Sequence, residues 1–224
     1  MKEHLKTYTE AVCGSYYQIF FSNNKWFAGL LFLSTFLDPY GGFSGLFAVA
    51  ITILSAKLLG LNPLSIKSGL YSFNSLLVGL MIGHYYSFSL EFFLILALIS
   101  ILTLFFTVWF ETQLSKSGLP FLSLPFMIAV WTVLLSIRSF ESISLNERGI
   151  FTINELWGIG GEKLVNFYEQ MNSIEMPMGF SVYFKSLGAI FFQSNIIAGF
   201  LIAAGLLLFS RIAFTLSLLG FFTG

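Results

Sequence analysis

Apolar residues run in unbroken blocks along this chain, and the polar positions between them mark where each block stops. A helix needs about 20 such residues to cross roughly 30 Å of hydrocarbon. Only residues 88–110, FSLEFFLILALISILTLFFTVWF, meet that length plainly, with Glu91 near the start. The block 42–59 is the next longest and ends near Lys57, while 26–37 is stopped by Asp38-Pro39 and the pair Gly41-Gly42. Two further runs are too short to cross. Residues 75–83 (SLLVGLMIG) lie between Asn74 and His84, and 126–137 follow the double-proline segment GLPFLSLP and end at Arg138. Short apolar segments opened by Pro or Gly read either as interfacial or buried bundle helices, or as half-helices lining a transport route. Two of them within about 60 residues favour the second reading.

From Arg138 to Gly179 the pattern changes. Nine of the chain's 22 charged residues fall there, so the segment is expected outside the hydrocarbon, with FTINELWGIGGEKLVNFYEQM as an amphipathic helix and loop. Apolar character resumes in 196–209 and 212–222, separated by Ser210-Arg211. The resulting division is a first repeat at 1–137, a charged extramembrane connector at 138–180 and the start of a second repeat at 181–224.

The repeat is visible in the residues. Gln18-Ile-Phe-Phe-Ser-Asn-Asn24 returns as Ala189-Ile-Phe-Phe-Gln-Ser-Asn195, and a one-residue gap then aligns Ala28-Gly29-Leu30-Leu31 with Ala198-Gly199-Phe200-Leu201. Duplicated halves are a common plan for transporters, with the site at their interface. The first copy, 18–137, is far longer than the second, 189–224, so the sequence is expected to be a fragment that lacks about 84 residues of a roughly 310-residue whole.

Composition sharpens the class. The chain has 224 residues, 56% of them hydrophobic and only 10% charged, where a soluble domain carries about 25% charge. An all-α integral membrane protein is the consequence. Eleven basic and eleven acidic residues cancel, leaving no basic field for nucleic acid. A single cysteine, Cys13, excludes an internal disulfide and a thiolate zinc cluster, and no cofactor is called for. His4 is terminal, and His84 reads as an interfacial residue beside Tyr85 and Tyr86 with no partner in view. Glu91 and Glu111 bracket the long helix and can reach the interface. GIGGEKL lacks the Lys-Ser/Thr of a phosphate loop, and no nucleophile-base pair is present, so the chain is read as no enzyme.

Neutral polar and aromatic residues remain. Gln18 and Phe21, three apart, would share a helix face, as would Phe73 and Leu77, four apart. Ser123 lies between Pro120 and Pro125, which free backbone groups beside a hydroxyl. Singly, each reads as core packing or a helix cap. Together they suggest a narrow route for a small, flat, neutral solute, with aromatic walls, oxygen acceptors, and half-helix N-termini that discourage cations.

GLYSFNSLLVGLMIG (69–83), followed by GLPFLSLPFMIAVW (118–131), resembles the paired signature of the urea transporter family, and QIFFSNN and AIFFQSN resemble the segment that opens each of its halves. The resemblance implies two inverted halves with re-entrant half-helices, assembled as homotrimers in the plasma membrane. It implies facilitated diffusion of urea between phenyl slots and oxygen ladders, without ions or ATP. Carried over by motif, Gln18, Phe21, Phe73, Leu77 and Ser123 would line the pore from the first half, and Ile190 and Phe192 from the second. Ser123 replaces a threonine, Ser72 and Ser75 replace glycines, and Ala189 stands in the Gln18 position. The alternatives are a channel for another small neutral solute, such as a short amide or ammonia, and a non-conducting truncated subunit.

Overall fold

The computed structural model describes residues 2–137, 144–145, 157, 160–166, 169–170, 177–193 and 195–223, with side chains from residue 8. The described residues are helical and contain no strand ladder. They form two compact units, Met1–Ser144 and Leu145–Gly224. Most of the expected connector lies outside the described residues, although 160–166 are helical.

The first unit holds α1 (Lys2–Gln18), α2 (Lys25–Thr35), α3 (Pro39–Leu58), α4 (Pro63–Lys67), α5 (Phe73–Tyr85), α6 (Leu90–Ser115) and α7 (Leu124–Ile137). Helices α3 and α6 are long and apolar enough to cross a membrane, whereas α7 is apolar but shorter. Their starts follow from local chemistry. Asp38 caps α3 through the Gly41 N–H, with Pro39 at the first helical position, and Ser89 caps α6 through the Phe92 N–H at 3.1 Å. Helix α6 buries Phe92, Leu96, Ile99, Ser100, Thr103, Leu104 and Thr107, a stripe at helical spacing. Its buried hydroxyls fold back onto carbonyls four residues earlier, at 2.6 to 2.8 Å, and so bury no unpaired donor. Leu94, Leu98, Phe105 and Trp109 form its exposed, apolar outer side.

Helix α5 is the centre of this unit. It packs against α1, α3, α6 and α7, and every residue from Phe73 to Gly83 is buried. Thirteen residues reach about 20 Å, well short of a bilayer's hydrocarbon. Small residues let α3 and α5 touch backbone to backbone. A Cβ on Gly79 would lie 2.5 Å from the Ser44 carbonyl oxygen and 2.8 Å from the Gly45 Cα, and one on Gly45 would lie 2.9 Å from Leu76. Such contacts let van der Waals packing hold helices together where no hydrophobic driving force separates protein from lipid.

The second unit comprises α8 (Met178–Ala189), α9 (Ile196–Phe209) and α10 (Arg211–Thr223). The break between α9 and α10 falls at Ser210, as the polar pair in the sequence suggests. Gly199 lies so close to the Phe184 carbonyl that no side chain fits there, and Tyr183 joins α8 to α10 through a 2.7 Å hydrogen bond to Ser217.

The sequence repeat is a repeat of structure at the α1–α2 and α8–α9 joints. Helix α1 ends at Gln18 and α8 at the matching Ala189. The N–H groups of Phe21 and Ser22 donate to the carbonyls of Gln18 and Tyr17, and those of Phe192 and Gln193 donate to Ala189 and Gly188. This is the Schellman pattern of helix termination. Asn24 then caps α2 through the N–H groups of Trp26 and Phe27, and Asn195 caps α9 through Ile197. The register is ungapped. Phe27, Ala28, Leu31, Ser34 and Thr35 are buried in α2, and the residues 171 positions later, Ala198, Gly199, Ile202, Gly205 and Leu206, are buried in α9. The structure does not keep the one-residue gap, which matches Ala-Gly letters but sets buried Phe27, Leu31 and Ser34 against half-buried Ile197, Leu201 and Ala204.

Candidate functional site

Five helix ends among the described residues close with the same pair of hydrogen bonds, in which one residue adopts the left-handed conformation. Three use glycine, at Gly60, Gly69 and Gly118, and two use phenylalanine, Phe21 with φ of 51° and Phe192 with φ of 62°. Glycine takes that conformation freely, whereas an L-residue pays about 1–2 kcal/mol. Leu122, with φ of 48°, is the third non-glycine residue there among the described residues. All three fall inside the motifs singled out from the sequence. Backbone strain of this kind concentrates at functional sites.

These bonds correct one expectation. Gln18 and Phe21 do not share a helix face, because α1 stops at Gln18 and Phe21 lies in the turn beyond it, with its side chain 59% exposed. The other spacing argument agrees with the structure. Phe73 opens α5, Leu77 sits one turn on, and both are buried, at 3% and 7% exposure.

Around the start of α5 the chain brings several of these residues together. The Phe73 and Phe121 rings face one another with centroids 6.0 Å apart and planes at 35°. The Asn74 amide donates to the carbonyl of Leu122 at 3.4 Å. Ser123, half-buried, follows at the end of a non-helical stretch, and α7 begins at the next residue. On the α1 side, Ser15 and Ser72 are fully buried and bonded hydroxyl to hydroxyl at 2.7 Å, three residues before Gln18 and one before Phe73. Gly69 lies directly against the backbone of Gly14 and Ser15. Phe73, Leu77 and the Ser123 turn are thus one local assembly tied to α1. Ile190 (37% exposed) and Phe192 (half-buried) belong to the second unit, at the α8–α9 joint.

Several contacts elsewhere in the first unit are not legible in the sequence. His84 does have a partner: its Nδ1 lies 2.8 Å from an Asp38 carboxylate oxygen, joining the end of α5 to the start of α3. Glu111 does not simply reach for solvent, because it is half-buried beside Tyr71. A cleft of about 480 Å³ between α1, α2 and α4 is lined by Glu10, Cys13, Tyr17, Lys25 and Lys67 among others, with Glu10 and Lys67 3.9 Å apart. It holds none of the residues proposed from the sequence. Among the described residues no three His, Cys, Asp or Glu side chains gather as a metal site would require.

No curated protein matches the chain. A protein-family model described as "Urea transporter" does, over residues 9–224, and so covers the opening segments, the α5 start and the Ser123 turn alike. The chain belongs to the urea transporter family.

Proposed function

We propose that the chain carries urea down its gradient by facilitated diffusion, through a narrow pore with phenyl slots and oxygen ladders. Membership of a family of membrane-embedded transporters, which is not an enzyme family, supports urea transport in general. In the finer reading, the rings of Phe21, Phe73 and Phe192 form flat slots and Leu77 and Ile190 line the wall. Gln18 and Ser123 offer oxygen acceptors for the urea N–H groups. The observation that carries the reading is the Phe73–Phe121 ring pair beside the Ser123 turn, at the buried start of a helix too short to cross a membrane. That length suits a re-entrant half-helix, and the repeated joint suits two inverted halves. A homotrimer of multi-pass subunits in the plasma membrane completes the proposal.

The test is urea flux into liposomes containing the purified protein, followed by light scattering, with ion conductance recorded in parallel. Urea permeability should rise while conductance stays at the level of empty liposomes. Phe73→Ala and Ser123→Ala should each lower the urea flux, and unchanged flux in both would remove these residues from the pore. Methylated ureas should compete with urea, and a failure to compete would point to ammonia instead.

A further inference from the structure

Helix α5 begins in the protein interior with polar groups left over. The N–H of Phe73 donates to the Gly69 carbonyl at 3.0 Å and that of Leu76 to the Ser72 carbonyl at 2.9 Å. Between them, the N–H groups of Asn74 and Ser75 have no acceptor among the described residues. Ser72 stands at the N-cap, yet its side chain does not cap the helix, because its hydroxyl is engaged with Ser15. The Ser75 hydroxyl points elsewhere, to the Ser100 carbonyl. Asn74 is completely buried, and although its amide nitrogen donates to Leu122, its Oδ1 has no donor among the described residues. Helix starts and buried amides are ordinarily satisfied, so this combination calls for a partner that supplies both N–H donors and an acceptor.

We infer that Asn74 is a specificity-determining residue, whose Oδ1 accepts an N–H of the permeating amide as the free N–H groups at the start of α5 meet its carbonyl oxygen. The inference rests on the proposed urea channel and adds a polar contact beside the phenyl slot. A planar amide matches the arrangement in kind: two backbone donors and one side-chain acceptor, next to facing rings 6.0 Å apart. Asn74 is as buried as Phe73 and Leu77, beside the facing Phe73 and Phe121 rings, so a solute that passes between those rings meets all three. An acceptor at that point rewards N–H and not merely a flat shape. A site built to hydrogen-bond a solute rejects the analogue that lacks the donor, because its own polar group is then left unpaired.

The experiment measures urea flux against urea concentration in liposomes for the wild type and Asn74→Leu, a replacement of similar size without an acceptor. Each is repeated with thiourea, which keeps the N–H donors, and acetone, which is flat but has none, as competitors. Half-saturating urea should rise about fivefold in Asn74→Leu, the loss of one neutral hydrogen bond. Thiourea should weaken as a competitor in step, and acetone should be unaffected. An unchanged half-saturation overturns the inference, even with a lower maximal flux, because that pattern is a packing defect. Asn74→Ser, whose hydroxyl stops short of the Oδ1 position, carries the same comparison if the leucine variant does not fold. Absence of urea flux in the wild type removes the channel reading itself, which is a different result from normal flux with an indifferent Asn74.

Discussion

Replacing Phe21 separates backbone strain from ring function, because glycine and alanine both delete the ring but only glycine relieves the left-handed conformation. The ring is 59% exposed, so about two-fifths of its surface is buried. Full burial of such a side chain is worth up to about 3 kcal/mol, so either replacement loses roughly 1 kcal/mol. At φ of 51° alanine still carries the cost of the left-handed conformation, about 1–2 kcal/mol. Glycine escapes it at the expense of about 0.5–1 kcal/mol of extra chain entropy. Phe21→Gly should therefore be more stable than Phe21→Ala by about 0.5–1 kcal/mol. In α2 the order should reverse. Gly29 is helical with nothing within 4 Å of an added Cβ, so Gly29→Ala should stabilise by up to about 1 kcal/mol. Thermal unfolding in detergent resolves this, at about 2–4 °C per kcal/mol for a chain of this size. An alanine variant as stable as the glycine variant would refute the strain argument. Urea flux supplies the second readout. If the ring forms part of the pore, both variants lose flux together despite their different melting temperatures.

Two further outcomes follow from the packing and the caps. Gly79→Ala should lower the melting temperature by the equivalent of about 1–2 kcal/mol, because its Cβ would press on the Ser44 carbonyl and Gly45 and outweigh the gain in helix propensity; a neutral result would mean that α3 and α5 do not approach so closely. Asn24→Ala and Asn195→Ala should each cost about 1 kcal/mol, with faster hydrogen exchange at the amides of Trp26 and Phe27 and of Ile197 respectively. Protection that survives in either variant would remove that asparagine as the cap.

Helix positions were largely legible in the sequence, because apolar runs and their polar stops report burial directly. The 75–83 run became α5 at Phe73–Tyr85, and 126–137 became α7 at Leu124–Ile137, each extended backwards by two residues. The half-length character of α5 could be read from Asn74 and His84 at its edges. Conformation at the α1–α2 turn could not. The usual sign of a left-handed helix end is glycine, and at residue 21 a phenylalanine takes its place. Contacts between distant residues were equally hidden, since nothing in the letters pairs Ser15 with Ser72 or Asp38 with His84. The repeated joint is legible at Gln18–Asn24 but its register is not legible beyond Ala28, where residue identity competes with the burial pattern. Only the buried faces of α2 and α9 decide that register.

The turn and cap hydrogen bonds described at the joint that closes α1 and opens α2 fall within about a dozen consecutive residues, and those at the joint between α8 and α9 do the same. Such a unit carries its own instructions. Hydrogen bonds so close in sequence let the same short segment build the same corner wherever it stands in the chain. The residues around it are then free to differ, as Gln18 and Ala189 do, while the corner keeps its shape.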